Sequence, residues 1–217
     1  MRFITPDGPS DMEIDQLIIA GWTGRDADSV QHHIDELAAL GVAPPSQVPL
    51  YYRVSASLLT TADRIEVVGG ASSGEAEPML LSQDGKLWLG LGSDHTDRAM
   101  EVASVAASKQ ACPKPCAAEL WPWEEVKDHL DRLTIRSWVH EGGDWVLYQQ
   151  GTLAKIRPLD ELREAGKLGT RAAMMCGTFP AFGGVRPAER VRAVLADPER
   201  EREIRLEYET RPLPEVK

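Results

Sequence analysis

The clearest pattern in the chain is the helical spacing of apolar residues in the stretch DADSVQHHIDELAALG. Apolar side chains recur there every three or four residues, which places them on one face of a helix. Asp28, with Gln31 three residues later, predicts a capping arrangement at the start of this helix. The apolar residues on the predicted face are Val30, Ile34, Leu37 and Leu40.

Alternating apolar and polar residues predict strands over much of the remaining chain. KLWLGLG places Leu87, Leu89 and Leu91 on one face, and RIEVVGG and EIRLEYETRPLP alternate in the same way. AAMMCGT has the length of a buried strand, and LTIRSWVHEGGDWVLYQQG predicts two strands joined by a glycine turn. Only a few further short helices are indicated. The pattern therefore predicts an α+β, mainly β fold in a single domain.

Composition narrows the classes of partner. The 217 residues contain 24 Lys and Arg against 34 Asp and Glu, a net charge of −10, which repels nucleic acid. The N-terminus lacks the basic start of a secretory signal, and LIIAGW is too short to cross a membrane, so a cytoplasmic location is expected. Three cysteines are too few for a disulfide framework, and we expect them to be reduced structural thiols.

Two glutamates stand close together in the sequence GEAEP, just before an apolar run. In a strand, residues i and i+2 point to the same face, so Glu75 and Glu77 would lie side by side there. At roughly 6 to 7 Å apart the two charges repel by about 2 to 3 kcal/mol, and a divalent cation between them would reverse that sign. The alternative is an exposed edge strand with two solvated glutamates.

A second polar cluster, GSDHTDR, directly follows the strand predicted for KLWLGLG. A strand fixes the position of such groups while the loop keeps them accessible, although the cluster is also compatible with a solvated turn. If Asp94 joined Glu75 and Glu77, the three carboxylates would form an all-oxygen site. Such a site suits Mg²⁺, Mn²⁺ or Ca²⁺ better than zinc.

The predicted helix carries a candidate general base. His33 and Glu36 are three residues apart, so the imidazole and the carboxylate can interact beside the apolar face. A partly buried histidine oriented by a carboxylate is suited to proton transfer near neutral pH. His32 and Glu36, four residues apart, could pair equally well on the solvent side.

Several motifs, taken in order along the chain, resemble those of the fumarylacetoacetate hydrolase family. GEAEP, SDHTDR and SKQACPKP are similar to the Glu-x-Glu pair, the Asp-x-Thr-x-Arg segment and the lysine-bearing segment of that family. HIDEL resembles the lid helix of the family, and VPLYYRVSASLL resembles a strand of its pocket. The Gln-x-Gly segment of the family and the helix after it resemble GDWVLYQQGTLAKIRPLDELREA, and its Gly-Thr-Pro loop resembles MMCGTFPAFGGV. Each motif alone is weak, but the ordered set is specific. The chain resembles a short, functionally uncharacterised branch of the family.

The resemblance implies roles for individual residues. Glu75, Glu77 and Asp94 would be the metal ligands, usually for Mg²⁺ or Mn²⁺. The implied catalytic residues are His33 and Glu36, which would activate a water, and Lys109, which would support a developing enolate or a substrate oxygen. The implied substrate-binding residues are Arg53, Arg98, Gly177 and Thr178. Arg53 stands where the family often has lysine, and Arg98 would chiefly be a partner of a metal-bound carboxylate.

The resemblance also implies a fold and an activity. We expect a mixed β-roll or β-sandwich, with N-terminal strands and a lid helix over residues 1–45, a β-roll core over residues 46–217, and a homodimer. The implied activity is Mg²⁺-dependent hydrolytic C–C cleavage or decarboxylation of a small anionic oxo acid, such as an acylpyruvate or a 2-oxo acid. The alternatives are hydration or tautomerisation of a 2-oxo-enoic acid, and a non-catalytic module that binds a metabolite.

Overall fold

The structure is a computed structural model, which describes residues 1–39, 41 and 43–216, apart from the side chains of residues 33 and 37. In chain order the strands are β1 Arg2–Thr5, β2 Gly8–Asp11, β3 Gln16–Gly21, β4 Leu50–Val54, β5 Leu59–Thr60, β6 Arg64–Val68, β7 Ser72–Ser73, β8 Ala76–Gln83, β9 Lys86–Ser93, β10 Thr96–Asp97, β11 Lys114–Pro115, β12 Trp121–Pro122, β13 Thr134–Glu141, β14 Asp144–Thr152, β15 Arg171–Met175, β16 Arg190–Asp197 and β17 Arg202–Leu213. The α-helices are α1 Ala27–Ala39, α2 Arg98–Glu101, α3 Val105–Gln110, α4 Trp123–Val126 and α5 Leu159–Ala165, and short 3₁₀ helices span Ala56–Leu58, Lys127–Arg132 and Leu153–Lys155.

Two mixed sheets form the frame of the molecule. The six-stranded sheet has the order β12-β9-β8-β15-β3-β4, and the five-stranded sheet has the order β14-β13-β16-β17-β6. One buried apolar cluster includes side chains of both sheets, such as Leu80 and Leu89 of the first and Ile135 and Leu195 of the second. A second cluster lies on the other face of the six-stranded sheet and includes Leu81, which alternates with Leu80. The α+β, mainly β fold with a few short helices is therefore confirmed.

Strands β8 and β9 form a tight hairpin that positions the candidate site. Two residues, Asp84 and Gly85, connect the strands, and both have positive φ values, 51° and 78°. This conformation matches the twist of the flanking strands and favours the Asp-Gly pair. The register places Glu77 opposite Gly92. Residues far apart in sequence are thereby brought together at the open end of the hairpin.

The helix predicted from the apolar spacing is confirmed as α1, but its predicted cap is wrong. The Ser29 N–H donates to Oδ1 of Asp26 at 2.7 Å, so Asp26 caps the helix. Because the helix begins at Ala27, Asp28 lies inside the first turn, and Gln31 donates to Asp35 instead. Val30 and Ile34 are buried as expected. The predicted contribution of Leu37 and Leu40 falls outside the described part of the structure.

The N-terminal segment contributes directly to the larger sheet. Strand β3 pairs in parallel with β15 and antiparallel with β4. The division of a single domain at residue 45 stays a prediction. Within the described residues, no helix has the length and apolar character needed to span a membrane.

Candidate metal centre

Three carboxylates converge at the open end of the β8/β9 hairpin. Oxygens of Glu75, Glu77 and Asp94 all lie within 4.8 Å of one another. Glu77 lies in β8, whereas Glu75 directly precedes the strand and its carbonyl accepts a hydrogen bond of 3.0 Å from the Asp94 N–H. Since β8 lies between β9 and β15, the pair is not on an exposed sheet edge. The alternative of two solvated glutamates on such an edge is wrong.

Burial sets the electrostatics of this triad. Glu77 is 3% exposed and Asp94 is fully buried. Burial raises the pKa of Glu77 well above its usual range, and the nearby charges of Asp94 and Glu75 add to the effect. For Asp94, burial also opposes ionisation, but the ammonium groups of Lys109 and Lys114 outweigh it and lower its pKa. The Asp94 carboxylate is therefore held ionised, while the Glu77 carboxyl group resists ionisation.

Two buried lysines contact the Asp94 carboxylate. Lys109, on α3, donates to Oδ2 of Asp94, and its Nζ lies 5.4 Å from the centroid of the Tyr52 ring. Lys114 Nζ lies 3.2 Å from Oδ1 of Asp94. Burial works against the charge of Lys109, but Asp94 and Glu75 raise its pKa. Burial lowers the pKa of Lys114, and Asp94 offsets part of that effect. Lys109 thus lies beside the triad, and its catalytic role stays a prediction.

Arg98, at the start of α2, contacts the Glu75 carboxylate of the triad. Its guanidinium is 3.1 Å from Oε2 of Glu75, and it also pairs with Glu101 and donates to the Ser73 hydroxyl at 2.7 Å. The Arg98 side chain is only 16% exposed. This geometry fits the predicted partner of a metal-ligating carboxylate, because the ion pair orients Glu75. Direct substrate binding by Arg98 stays a prediction.

The loop after β15 holds Glu77 from the other side. The Gly177 N–H donates to Oε2 of Glu77 at 2.7 Å. The Thr178 hydroxyl donates to the Ala76 carbonyl at 2.8 Å and accepts from Nε2 of Gln149 at 2.7 Å. Gly177 has φ +101°, and a Cβ there would overlap the Thr23 hydroxyl. Since these two donors are used within the protein, substrate binding by Gly177 and Thr178 stays a prediction.

Aromatic side chains border the cluster near Lys109. Tyr52, in β4, faces Lys109, and burial raises its pKa against the effect of a hydrogen bond from Trp22. Trp22 has φ 60°, a strained value for a bulky residue. Strain of this kind persists only where the surroundings enforce it, and it concentrates at functional sites. Trp22 and Tyr52 therefore belong to the candidate site.

Arg53 is not brought to the triad. Neighbouring residues of a strand point to opposite faces, and Tyr52 faces Lys109. Arg53 shares the face of Tyr51, whose ring lies near Gly166, and is exposed. The substrate-binding role of Arg53 stays a prediction. It would require the substrate to extend around the edge strand β4.

The predicted dyad on α1 is only partly described. Glu36 is 58% exposed, and its Oε1 lies 3.3 Å from Nε2 of His32, the solvent-side pairing that the spacing left open. The side chain of His33 lies outside the described part of the structure. The catalytic roles of His33 and Glu36 stay predictions.

His95, beside Asp94 in sequence, is directed into the protein. Its Nδ1 is hydrogen-bonded to the Tyr208 hydroxyl at 3.0 Å and its Nε2 to the Ser72 hydroxyl at 2.9 Å. Burial, together with the charges of Lys114 and Arg98, lowers the pKa of His95 to about 3, so the ring is neutral. Both ring nitrogens are thus occupied away from the carboxylates.

The residues of the triad fit a hard divalent cation. Oδ1 of Asp94 is buried and accepts no hydrogen bond among the described residues, although the Lys114 ammonium is near. A buried acceptor of this kind is costly unless something binds it. Three carboxylates supply only oxygen donors, the set preferred by Mg²⁺, Mn²⁺ and Ca²⁺. Glu75, Glu77 and Asp94 would hold such an ion.

Sequence reasoning missed two buried residues of this cluster. Lys114 is fully buried beside Asp94, and Gln149 is 1% exposed. The Gln149 side chain accepts from the Ala76 N–H at 3.0 Å and donates to Thr178 and to the Phe179 carbonyl. The signal for Gln149 was its place as the glutamine of the Gln-x-Gly segment in GDWVLYQQG. Lys114, between two prolines, carried no signal of burial.

Comparisons with known proteins agree with this architecture. The family described as "Protein of unknown function (DUF2848)" matches residues 20–208. No curated protein sequence matches the chain significantly. Among solved structures, a protein from Oleispira antarctica, provisionally named a fumarylacetoacetate isomerase/hydrolase, has a TM-score of 0.70 at 17% identity, covering 97% of this chain and 99% of its own.

Two further solved structures have different named activities. A 5-carboxymethyl-2-hydroxymuconate delta-isomerase from Mycobacterium smegmatis has a TM-score of 0.63 at 11% identity, covering 99% of this chain and 98% of its own. A 2-keto-3-deoxy-D-arabinonate dehydratase complexed with magnesium and 2,5-dioxopentanoate has a TM-score of 0.61 at 12% identity, covering 93% and 75%. The chain belongs to the DUF2848 family of proteins of unknown function, and it has the fold of the fumarylacetoacetate hydrolase proteins.

Proposed function

We propose that the protein is a divalent-metal-dependent enzyme that cleaves or decarboxylates a small oxo-carboxylic acid. The observation that carries the proposal is the buried convergence of Glu75, Glu77 and Asp94 within 4.8 Å, with Lys109 in contact with Asp94. The similarly folded dehydratase complexed with magnesium and 2,5-dioxopentanoate supports the choice of metal and of substrate class.

The three carboxylates would hold Mg²⁺ or Mn²⁺. When bound, such an ion supplies a Lewis acid that polarises the oxygens of a 1,3-dicarbonyl compound or a 2-oxo acid. Arg98 keeps Glu75 oriented, and Gly177 does the same for Glu77 through its N–H. These contacts hold the donors in place before anything binds.

In this proposal Lys109 acts on the substrate. Its ammonium group is buried against Asp94 and next to Tyr52. It is therefore a positive charge in a site with little water. A positive donor there stabilises the negative charge that develops on a substrate oxygen when a C–C bond breaks. His33 with Glu36 would deliver the water or take the proton, from the helix α1. Trp22 and Tyr52 would limit the access of solvent.

The proposal is tested by offering acylpyruvates, oxaloacetate and 2-oxo-4-enoic acids with Mg²⁺ or Mn²⁺, and again with EDTA. We expect turnover of at least one acylpyruvate or oxaloacetate that EDTA abolishes and added Mg²⁺ restores. The Glu77→Gln variant keeps the shape of the side chain and should lose that turnover. Turnover that is indifferent to EDTA and to Glu77→Gln would contradict the metal chemistry.

Two other functions use the same site. Turnover of only the 2-oxo-4-enoic acids would indicate a hydratase or tautomerase. The similarly folded solved structure named as an isomerase supports this second candidate function. A non-catalytic metabolite-binding module would bind the oxo acids in calorimetry without converting them. Changing His33 or Glu36 to alanine separates enzyme from module, because it should abolish turnover and leave ligand affinity nearly unchanged. A homodimer in the cytoplasm remains part of the proposal.

A further inference from the structure

Lys114 is the most completely buried charged side chain beside the triad. It lies in the short strand β11, which pairs in parallel with β5, and its side chain has no exposed area. Its Nζ donates to the His95 carbonyl and lies 3.2 Å from Oδ1 of Asp94. A lysine is rarely buried without a specific partner, because its ammonium group loses its hydration. Its partners here are the backbone and the carboxylate of one segment, residues 94–95.

The two lysines that contact Asp94 are held in different ways. Lys109 contacts Oδ2, keeps 8% of its side chain exposed, and has the Tyr52 ring 5.4 Å away as a second favourable neighbour. Lys114 is anchored to a backbone carbonyl and is closed off from solvent. Lys114 is therefore held beside Asp94 by a backbone anchor as well as by the ion pair.

Cationic side chains surround the triad, and one of them, Arg98, is shared with Glu101. Three carboxylates, Glu75, Glu77 and Asp94, face three cationic side chains, each in contact with at least one of them: Lys109, Lys114 and Arg98. A dication that enters the triad gains the attraction of the carboxylates but meets the repulsion of any positive charge that stays. Within a buried site this repulsion is weakly screened. Lys114 is such a charge, with its Nζ 3.2 Å from Oδ1 of Asp94 and anchored on the His95 carbonyl.

We propose that Lys114 is a built-in counter-charge for Asp94, which keeps this carboxylate paired before a cation arrives and holds the cation affinity of the triad down. The inference rests on the proposed function, since it requires that the triad binds a dication. It makes Lys114 a positioning residue, acting on the ion through Asp94. The metal-free protein is then stable with three carboxylates at one point, and the ion is bound reversibly.

The test compares wild type with Lys114→Met, which keeps the apolar length of the side chain and removes its charge. Mn²⁺ binding is measured by titration calorimetry, and thermal unfolding is measured with and without Mn²⁺. We expect Lys114→Met to bind Mn²⁺ at least about tenfold more tightly, because one fixed positive charge is gone. Without Mn²⁺ its unfolding temperature should fall, and Mn²⁺ should raise it by more than in wild type.

Lys127→Met is the matched control. Lys127 pairs with Glu124 on the surface, where its side chain is 40% exposed, so this variant should bind Mn²⁺ as wild type does. If Lys114→Met does not fold, Lys114→Gln, which keeps an N–H donor for the His95 carbonyl, carries the same expectation. Lys114→Arg keeps the charge and should not gain affinity.

The outcomes separate this inference from the proposed function. Unchanged or weaker Mn²⁺ binding in the charge-removing variants would overturn the inference, because a residue with a merely structural role loosens the site when it is removed. Wild type that binds Mn²⁺ would then still support the proposed function. Absence of Mn²⁺ binding in wild type and in every variant would instead defeat the proposed function, and this inference with it.

Discussion

Two buried aspartates, Asp94 and Asp197, occupy opposite situations in the same molecule. Both are at most 1% exposed and both contact cationic side chains. Around Asp197 every oxygen is used: Oδ1 accepts from His129 at 3.1 Å and from two backbone N–H groups, and Oδ2 accepts from Arg202 at 3.2 Å. Oδ1 of Asp94 accepts no hydrogen bond within the described residues.

The surroundings explain the difference. Asp197 caps the turn between β16 and β17, and Arg202 stacks on Trp121 with its Cζ 4.4 Å from the ring centroid. Glu125 and Glu199 pair with the cations around Asp197, whereas Glu75 and Glu77 converge on the same point as Asp94. A buried carboxylate whose two oxygens accept several hydrogen bonds stabilises a fold, whereas one paired mainly by charge among other carboxylates is suited to binding.

The largest expected effect is on cation binding when Asp94 is neutralised. Asp94→Asn removes one of three charges from the triad and should weaken Mn²⁺ binding at least about a thousandfold, since the lost attraction acts at short range in a buried site. Titration calorimetry of the folded variant measures it. Affinity within about threefold of wild type would show that the triad is not the cation site.

For Asp197→Asn we expect the opposite pattern, a loss of stability without a loss of cation binding. The variant removes the buried carboxylate that His129 and Arg202 share and leaves them only the more exposed Glu199 and Glu125. We expect a loss of about 3 kcal/mol in the free energy of unfolding. Its Mn²⁺ affinity should match that of wild type, because Asp197 belongs to a different cluster. Urea unfolding and calorimetry measure the two quantities. A stability loss smaller than that of Asp94→Asn would break the comparison between the two aspartates.

The stability difference between wild type and Asp197→Asn should depend on pH. Although burial opposes ionisation, the contacts with His129 and Arg202 lower the pKa of Asp197 in the folded protein. A carboxyl group whose folded pKa is lowered contributes stability above its unfolded pKa, about 3.9, and loses it as the pH falls toward the folded value. The difference should be largest near pH 6 and shrink below about pH 4. An increase toward low pH would contradict this assignment.

The smallest expected effect concerns the turn of the hairpin that carries the triad. Gly85 has φ +78° and open space around it, so Gly85→Ala adds only backbone strain, about 1 kcal/mol. The matched control is Gly70→Ala, which also has open space but no positive φ. Urea unfolding should separate the two variants, and Mn²⁺ binding should stay unchanged in both. Equal stability of the two would show that the turn is not held in this conformation.

The sequence was sufficient to predict helices and strands whose apolar residues recur at a regular spacing. The apolar spacing predicted α1, the alternation of leucines predicted β9, and the glycine turn predicted the β13/β14 hairpin. The ordered motifs brought Glu75, Glu77 and Asp94 together as one candidate site, and the structure places them within 4.8 Å. Asp84-Gly85 is a hairpin signal that explains this convergence, because it folds β9 back along β8.

Contacts between distant segments could not be predicted in the same way. Nothing local marks Lys114 as buried, since lysine is normally exposed and only the packing of β11 near residues 94–95 encloses it. The direction of the Arg53 side chain depends on the register of β4, because a shift of one position moves every side chain to the other face. The cap of α1 was missed by two residues, the usual uncertainty at a helix end.

The β8/β9 hairpin also has a practical consequence. Six to eight residues of strand separate its exposed turn at Asp84 and Gly85 from the three carboxylates, roughly 23 to 30 Å at the usual rise. A fluorophore or short peptide tag inserted at that tip would protrude into solvent without touching the triad. The turn is thus an attachment point for a reporter of ligand binding, because the same two strands connect it to the triad while keeping it at a distance.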